Sequence, residues 1–140
     1  MVPSMPLVSR KGILAIAAVI DVAVNAGSRP VSAKALASRH RLPPRHLEPV
    51  LQALVRDGIL RGVRGPHGGY EVARAHHSVS VEDILRAVNA AEESEHPLLP
   101  QSPLANAVVK PALIEVERSF SSALGRISIE DMAVRAATLK

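Results

Sequence analysis

Four side chains between positions 45 and 52 carry hydrogen-bonding groups of different kinds: the guanidinium of Arg45, the imidazole of His46, the carboxylate of Glu48 and the carboxamide of Gln52. No Ser/His/Asp set or carboxylate pair stands out by spacing anywhere in the chain, so these groups suit recognition rather than bond-making. Facing outward from a helix, each fits a base edge: arginine donates to guanine or phosphate, glutamate accepts from the cytosine amino group, glutamine pairs with adenine. Plainer duties compete, such as a simple phosphate contact for Arg45, a helix-start carboxylate for Glu48 and a solvated side chain for Gln52. Arg64 stands at the base of the turn Arg64-Gly65-Pro66-His67-Gly68-Gly69, where an arginine is drawn by the negative potential of a minor groove. His67 at the tip suits a phosphate neighbour or an ordinary loop position. The glycines lack the Lys-Ser/Thr of a nucleotide-binding loop and do not open a helix directly, so they do not read as a phosphate cradle.

The elements that must carry these groups follow from caps and periodicity. Ser9 caps a helix running to about Ala26, buried over most of its surface and ended by Gly27. Ser32 caps a second helix to about His40. Leu42-Pro43-Pro44 turns the chain, and Pro44 suits a first helical position, where no amide donor is needed. A third helix follows to Asp57 with Leu47, Val50, Leu51, Leu54 and Val55 on one face, and Gly58 stops it. Strands at Ile59–Val63 and Tyr70–Ala73 flank the glycine-rich turn. Ser80 with Asp83 forms a capping box for a fourth helix, to about Ala90. Pro103 opens a long helix ending near Gly125, with Leu113, Val116, Phe120 and Leu124 recurring three or four apart. Ser128 with Asp131 repeats the capping box for a last helix to about Leu139. Three short helices and a glycine-tipped hairpin are the order of a winged helix-turn-helix: a third helix slim enough for the major groove beside a wing that reaches backbone or minor groove. The fold expected is therefore mostly α, a winged helix-turn-helix with a two-stranded wing and a long C-terminal dimerisation helix. Its parts would be a tail at 1–8, a head at 9–90, a linker at 91–102 and a dimerisation unit at 103–140.

Composition narrows the function. The 140 residues include Tyr70 and Phe120 as the sole aromatics, which argues against modules that stack single-stranded bases on rings. There is no cysteine, so disulfides, thiolate metal sites and cysteine-ligated clusters are excluded. Residues 1–74 hold eleven Lys/Arg against four acids, a balance of +7, and residues 75–140 balance at −3. A basic front half reads as a polyanion-binding module joined to an acidic remainder. An acidic protein partner is the alternative to double-stranded DNA. Arg10 and Lys11 before the apolar run Ile13–Ile20 have the look of a short signal peptide, but Asp21 interrupts the run and it is too short to span a bilayer. A cytoplasmic protein is expected. His76, His77 and His96 read as loop histidines rather than a metal site, since adjacent histidines cannot readily share one metal, and no cofactor is implied.

The segments SRKGILAIAAVIDVAV, LPPRHLEPVLQALVRDGILRGVRGPHGGYEVAR and SVSVEDILRAV, with LIEVERSFSSALGRISIEDM further on, resemble the Rrf2 family of bacterial transcription regulators from about Ser9 to Ala133. VRGPHGGYEVAR is the most specific part. The resemblance implies a homodimer whose long helix crosses its counterpart, minor-groove insertion by Arg64, base contacts from Arg45, His46 and Glu48, and a phosphate contact from Lys11. Three departures stand out. Many relatives ligate a cluster with three cysteines between the fourth and long helices; here that span reads AAEESEHPLLPQSPLANA, and the one imidazole of His96 cannot hold a cluster. Relatives often have Arg-Tyr after the Lys-Gly of the first helix, where Ile13-Leu14 stand here, removing a polar anchor. Pro49 occupies a position in helix three where relatives often have Gln, and it deletes one helical hydrogen bond. The signal sensed is left open, as an unknown small-molecule or protein effector.

Overall fold

The computed structural model describes residues 8–93 and 101–139, and for residues 90–93 only the backbone. The tail expected at 1–8, except Val8, and residues 94–100, including His96 and much of the expected linker, lie outside the described residues.

Local signals set the helix starts. Helix α1 (Arg10–Asn25) begins where the Ser9 hydroxyl accepts from the Gly12 amide at 3.0 Å. Helix α2 (Ala33–Arg39) begins the same way, Ser32 accepting from Ala35 at 3.0 Å. Helix α3 (Pro44–Arg56) has no side-chain cap; Pro44 at its first turn needs no acceptor. Arg41, with φ +55°, turns the chain between α2 and α3, and Gly58, with φ +75°, leaves α3 in the left-handed conformation that glycine adopts without strain.

Strands β1 (Leu60–Val63) and β2 (Gly69–Val72) pair antiparallel, Leu60 opposite Val72 and Val63 opposite Gly69. Val31 adds a bridge to Tyr70, with hydrogen bonds of 2.9 and 2.7 Å, so the wing is stitched to the loop before α2. That stitch demands Gly69: a Cβ there would run into the Val31 carbonyl oxygen.

After a 3₁₀ turn at His76–Ser78, helix α4 (Val81–Glu93) packs on α1 and α3. Gly12 permits the close approach of α1, since a Cβ there would lie 2.6 Å from Leu85 Cδ2. Residues 103–125 are helical throughout, wound as a π turn over Ala105–Val109 and then as α5 (Lys110–Gly125). The wide turn leads directly to Pro111, whose ring would crowd the carbonyl four residues back in a regular helix. Helix α6 (Ile129–Ala136) opens on the capping box of Ser128 and Asp131 and returns to α1.

The core lies mainly between α1, α2, α3 and α4, and Ile129 of α6 is buried in the same cluster. Val19 and Val22 of α1, Leu36 of α2, Leu47, Leu51 and Leu54 of α3, Ile59, and Ile84 and Val88 of α4 are all buried. Each such side chain contributes about 1.5–3 kcal/mol by leaving water.

Several expectations need correction. Val55, assigned to the buried face of α3, is 39 % exposed, and Ala53 is buried in its place. Helix α4 continues to Glu93, so Glu92 and Glu93 belong to a helix rather than a linker. The loss of one hydrogen bond expected at Pro49 leaves α3 continuous across it, with the proline ring facing solvent, where that loss costs least. The final helix stops at Ala136 rather than near Leu139.

Candidate nucleic-acid interface

Helix α3 turns Leu47, Val50, Leu51 and Leu54 inward, and at 3.6 residues per turn this leaves Arg45, His46, Glu48 and Gln52 exposed. The four side chains expected to read bases are therefore all solvent-exposed on α3. Lys11 comes from the start of α1 and lies against the same helix, sharing a hollow of about 200 Å³ with Pro49, Gln52, Ala53 and Arg56.

On the wing, Arg64, Gly65, Pro66 and His67 are all exposed. His67 does not stand alone. With Pro66 and Gly68 it closes a cleft whose other wall is the loop of Arg29, Pro30 and Val31 and whose floor reaches Arg39. Arg29 is a candidate phosphate contact that local patterning missed; no signal in the sequence places it beside the wing, since the Val31–Tyr70 bridge makes the juxtaposition.

Ion pairing decides how much positive charge remains. Asp21 takes Arg39, whose Nη2 lies 2.6 Å from Oδ1; Glu71 takes Arg61 at 2.5 Å, and Asp57 lies 3.8 Å from Arg56. Arg10, Lys11, Arg29, Arg45 and Arg64 have no ion-pair partner among the described residues. Of the four front-half acids, Glu48 alone makes no ion pair among the described residues, and it sits in the middle of the row on α3. The basic excess is therefore delivered to the surface, with one carboxylate placed among the cations.

Asp21, which in the sequence only interrupts an apolar run, ties α1 to α2. Its side chain is 6 % exposed. It accepts from Arg39 Nε at 2.9 Å and Asn25 Nδ2 at 3.1 Å, and lies 2.9 Å from His40 Nε2. Burial pushes its carboxyl up, but the hydrogen bonds from Arg39, Asn25 and His40 and the Arg39 charge outweigh this and hold it below the usual carboxylate range.

The four apolar residues expected to form one dimerisation seam divide. Leu113 and Val116 are 59 % and 55 % exposed. Phe120 and Leu124 are half-buried in a cleft shared with Leu85 of α4, whose edge Val116 also lines. Among the described residues no group of His, Asp and Glu is arranged to hold a metal ion, and no helix is long and apolar enough to cross a membrane.

Residues 8–135 match the model of the Rrf2 family, described as an iron-dependent transcriptional regulator. The chain belongs to the Rrf2 family. This Rrf2-family chain is 34 % identical over 90 residues to the HTH-type transcriptional regulator IscR of Cereibacter sphaeroides, covering 63 % of this chain and 58 % of that one. It is 31 % identical over 84 residues to IscR of Escherichia coli, covering 60 % and 52 %. The chain spans about half the length of the curated relatives it matches first. Among solved structures, T. potens IscR superposes with a TM-score of 0.75 at 31 % identity, covering 95 % of this chain and 91 % of that chain. CymR, the global cysteine regulator of B. subtilis, superposes at 0.71 with 24 % identity, covering 96 % and 98 %, a likeness of fold. The winged helix-turn-helix expected from the order of elements is the fold observed. The cysteine-ligated cluster that the resemblance implies for many relatives does not fit the residues present, since the sequence has no cysteine and offers no thiolate.

Proposed function

We propose that this chain is a sequence-specific, double-stranded DNA-binding transcription regulator that works as a homodimer on a near-palindromic operator, as a repressor, without an iron–sulfur cluster. The observation that carries this reading is the solvent-facing row Arg45, His46, Glu48 and Gln52 beside an exposed, arginine-based wing, on a head whose other front-half acids are consumed in ion pairs. Helix α3 would enter the major groove, Arg45 and Glu48 reading base edges, while Arg64 enters the minor groove. Lys11, Gln52 and His67 would fix the register on the backbone or adjacent bases.

The head at 9–90 would be the DNA-binding part and 103–140 the dimerisation part. The pairing rests on the helix at 103–125, where Leu104, Val108, Leu113 and Val116 all face solvent and α5 has no buried residue. A monomer rarely leaves such a row open. Two heads related by a two-fold axis would meet successive major-groove faces, and covering a promoter in this way excludes polymerase.

The test is a salt titration of binding to duplex DNA by fluorescence anisotropy. Counterion release predicts that log K falls linearly with log salt, by about 0.9 for each phosphate neutralised. Salt-insensitive binding, or equal affinity for duplex and heparin at every ionic strength, overturns the reading. Recovery of an acidic protein partner alongside either result would reassign the basic face to protein.

A further inference from the structure

A groove of about 640 Å³ lies between α1 and the turn leading into α3. Its floor is aliphatic: Ile13, Leu14 and Ala17 of α1, Leu42 of the turn and Val50 of α3. Its rim consists of Arg10, Lys11, His40 and His46, and no carboxylate lines it. The carboxylate behind His40 is Asp21, which is itself engaged by Arg39. Arg10, Lys11 and His46 have no ion-pair partner among the described residues.

Ile13 and Leu14 of α1 make the floor apolar. Ile13 is 44 % exposed, an aliphatic side chain open to water between two cations and an imidazole. A volume of this size is in the range of small-molecule sites, and an apolar body with a few convergent polar groups is their usual make-up. The complement of an aliphatic floor with a wholly basic or imidazole rim is an amphipathic anion. We propose that the groove binds a small monocarboxylate with an apolar body, its chain on Ile13, Leu14 and Ala17 and its carboxylate at Arg10, Lys11 and His46. The site has a consequence that rests on the DNA-binding reading: Lys11 and His46 belong to both surfaces, so carboxylate and duplex compete for the same side chains. Reciprocal coupling then requires each to weaken the other.

The experiment uses the full chain, nitrogen-15 labelled, with sodium octanoate as probe and sodium acetate and octylammonium chloride as controls at matched ionic strength. Expected is a saturable shift of the amide signals of Ile13, Leu14, Ala17, Leu42 and His46 with octanoate, absent with acetate or octylammonium. In parallel, octanoate should weaken duplex binding about tenfold. Ile13→Arg, which puts a charge on the aliphatic floor, should abolish the octanoate response while duplex binding stays as tight or becomes tighter. Ile13→Ser, which strips the floor without adding a charge, should weaken octanoate binding several-fold at an unchanged unfolding midpoint. No saturable shift, or equal shifts from octylammonium, overturns the proposal. So do shifts that follow protein concentration rather than octanoate, which would give the groove to a second copy of the chain. Duplex binding without octanoate binding sinks this site alone; octanoate binding without duplex binding sinks the DNA reading and leaves the site standing.

Discussion

Ser80 and Ser128 face each other across an isolated antiparallel bridge, each the N-cap of its own helix. Val81 donates to the Ile127 carbonyl at 2.8 Å and Ile129 to the Val79 carbonyl at 2.9 Å. Each serine hydroxyl accepts from the amide of the aspartate three residues on, at 3.1 Å, and each aspartate accepts in return from its serine amide at 2.9 Å. The two Ser-Val/Ile-Glu-Asp runs are thus paired in space. They tie the start of α4, in the head, to the helix that follows the long one.

This pairing makes Ser128 a stability residue. Replacing it with Ala removes the acceptor for the Asp131 amide and should cost about 1 kcal/mol, while Gly, which tolerates the cap backbone, should cost a few tenths. Urea unfolding of the two variants reads the difference. Equal losses for Ala and Gly would mean that the bridge backbone, not the hydroxyl, holds the junction.

Arg64 is exposed at the wing and makes no ion pair among the described residues, so its removal should not touch the fold. Arg64→Ala should weaken operator binding by about 1–3 kcal/mol and relax preference at one minor-groove position. An unchanged binding isotherm with an unchanged unfolding midpoint would remove Arg64 from the interface.

The parts of the fold that were legible in the sequence rest on local chemistry. Ser9, Ser32 and Ser128 cap where their spacing predicts, and Pro44 and Gly58 bound α3. The exposure of the polar side chains of α3 was legible too, because 3.6-residue periodicity separates Arg45, His46 and Glu48 from Leu47 and Val50. What was not legible depends on contacts distant in sequence. Asp21 reads as a flaw in an apolar helix until α2 brings Arg39 and His40 to it. Arg29 lines the same cleft as His67 because Val31 bridges Tyr70. The exchange of Val55 for Ala53 on the buried face of α3 depends on which side α4 covers, which periodicity alone leaves open.

Glu48 is the unusual member of the row, a carboxylate among cations with no ion pair among the described residues. On a phosphate-facing surface it costs affinity unless it accepts a hydrogen bond from a base. Glu48→Ala should therefore tighten binding to random duplex and flatten the preference at one cytosine, each mismatch being worth about 1–3 kcal/mol before the change. Competition with random DNA checks this. Weaker binding to random and operator duplex alike would assign Glu48 to stabilising α3 rather than to reading sequence.

Leu113 is open to solvent, so a charge there does not disturb the folded head. In a homodimer paired along the long helix the same position is covered. Leu113→Asp should shift the species seen by sedimentation equilibrium from dimer to monomer and remove the advantage of a two-half-site duplex over a single half-site. A dimer that survives Leu113→Asp and Val116→Asp together would place the seam elsewhere.

Asp21 links the stability of the head to pH. Its folded-state pKa is depressed, because the hydrogen bonds and charge of Arg39, with Asn25 and His40, outweigh the burial that raises it. A depressed carboxyl stabilises the fold above its unfolded value of about 3.9 and loses that contribution as pH falls through the folded value. Asp21→Asn keeps the shape but removes the charge, leaving Arg39 with a weaker acceptor, and should cost about 1–3 kcal/mol near neutral pH. The gap between the natural chain and Asp21→Asn should then close as pH falls below about 4, since the protonated natural residue is equally uncharged. Urea midpoints across that range measure the gap. Parallel curves down to strong acid would mean that Asp21 acts through shape alone, and that the joint between α1 and α2 owes nothing to its charge.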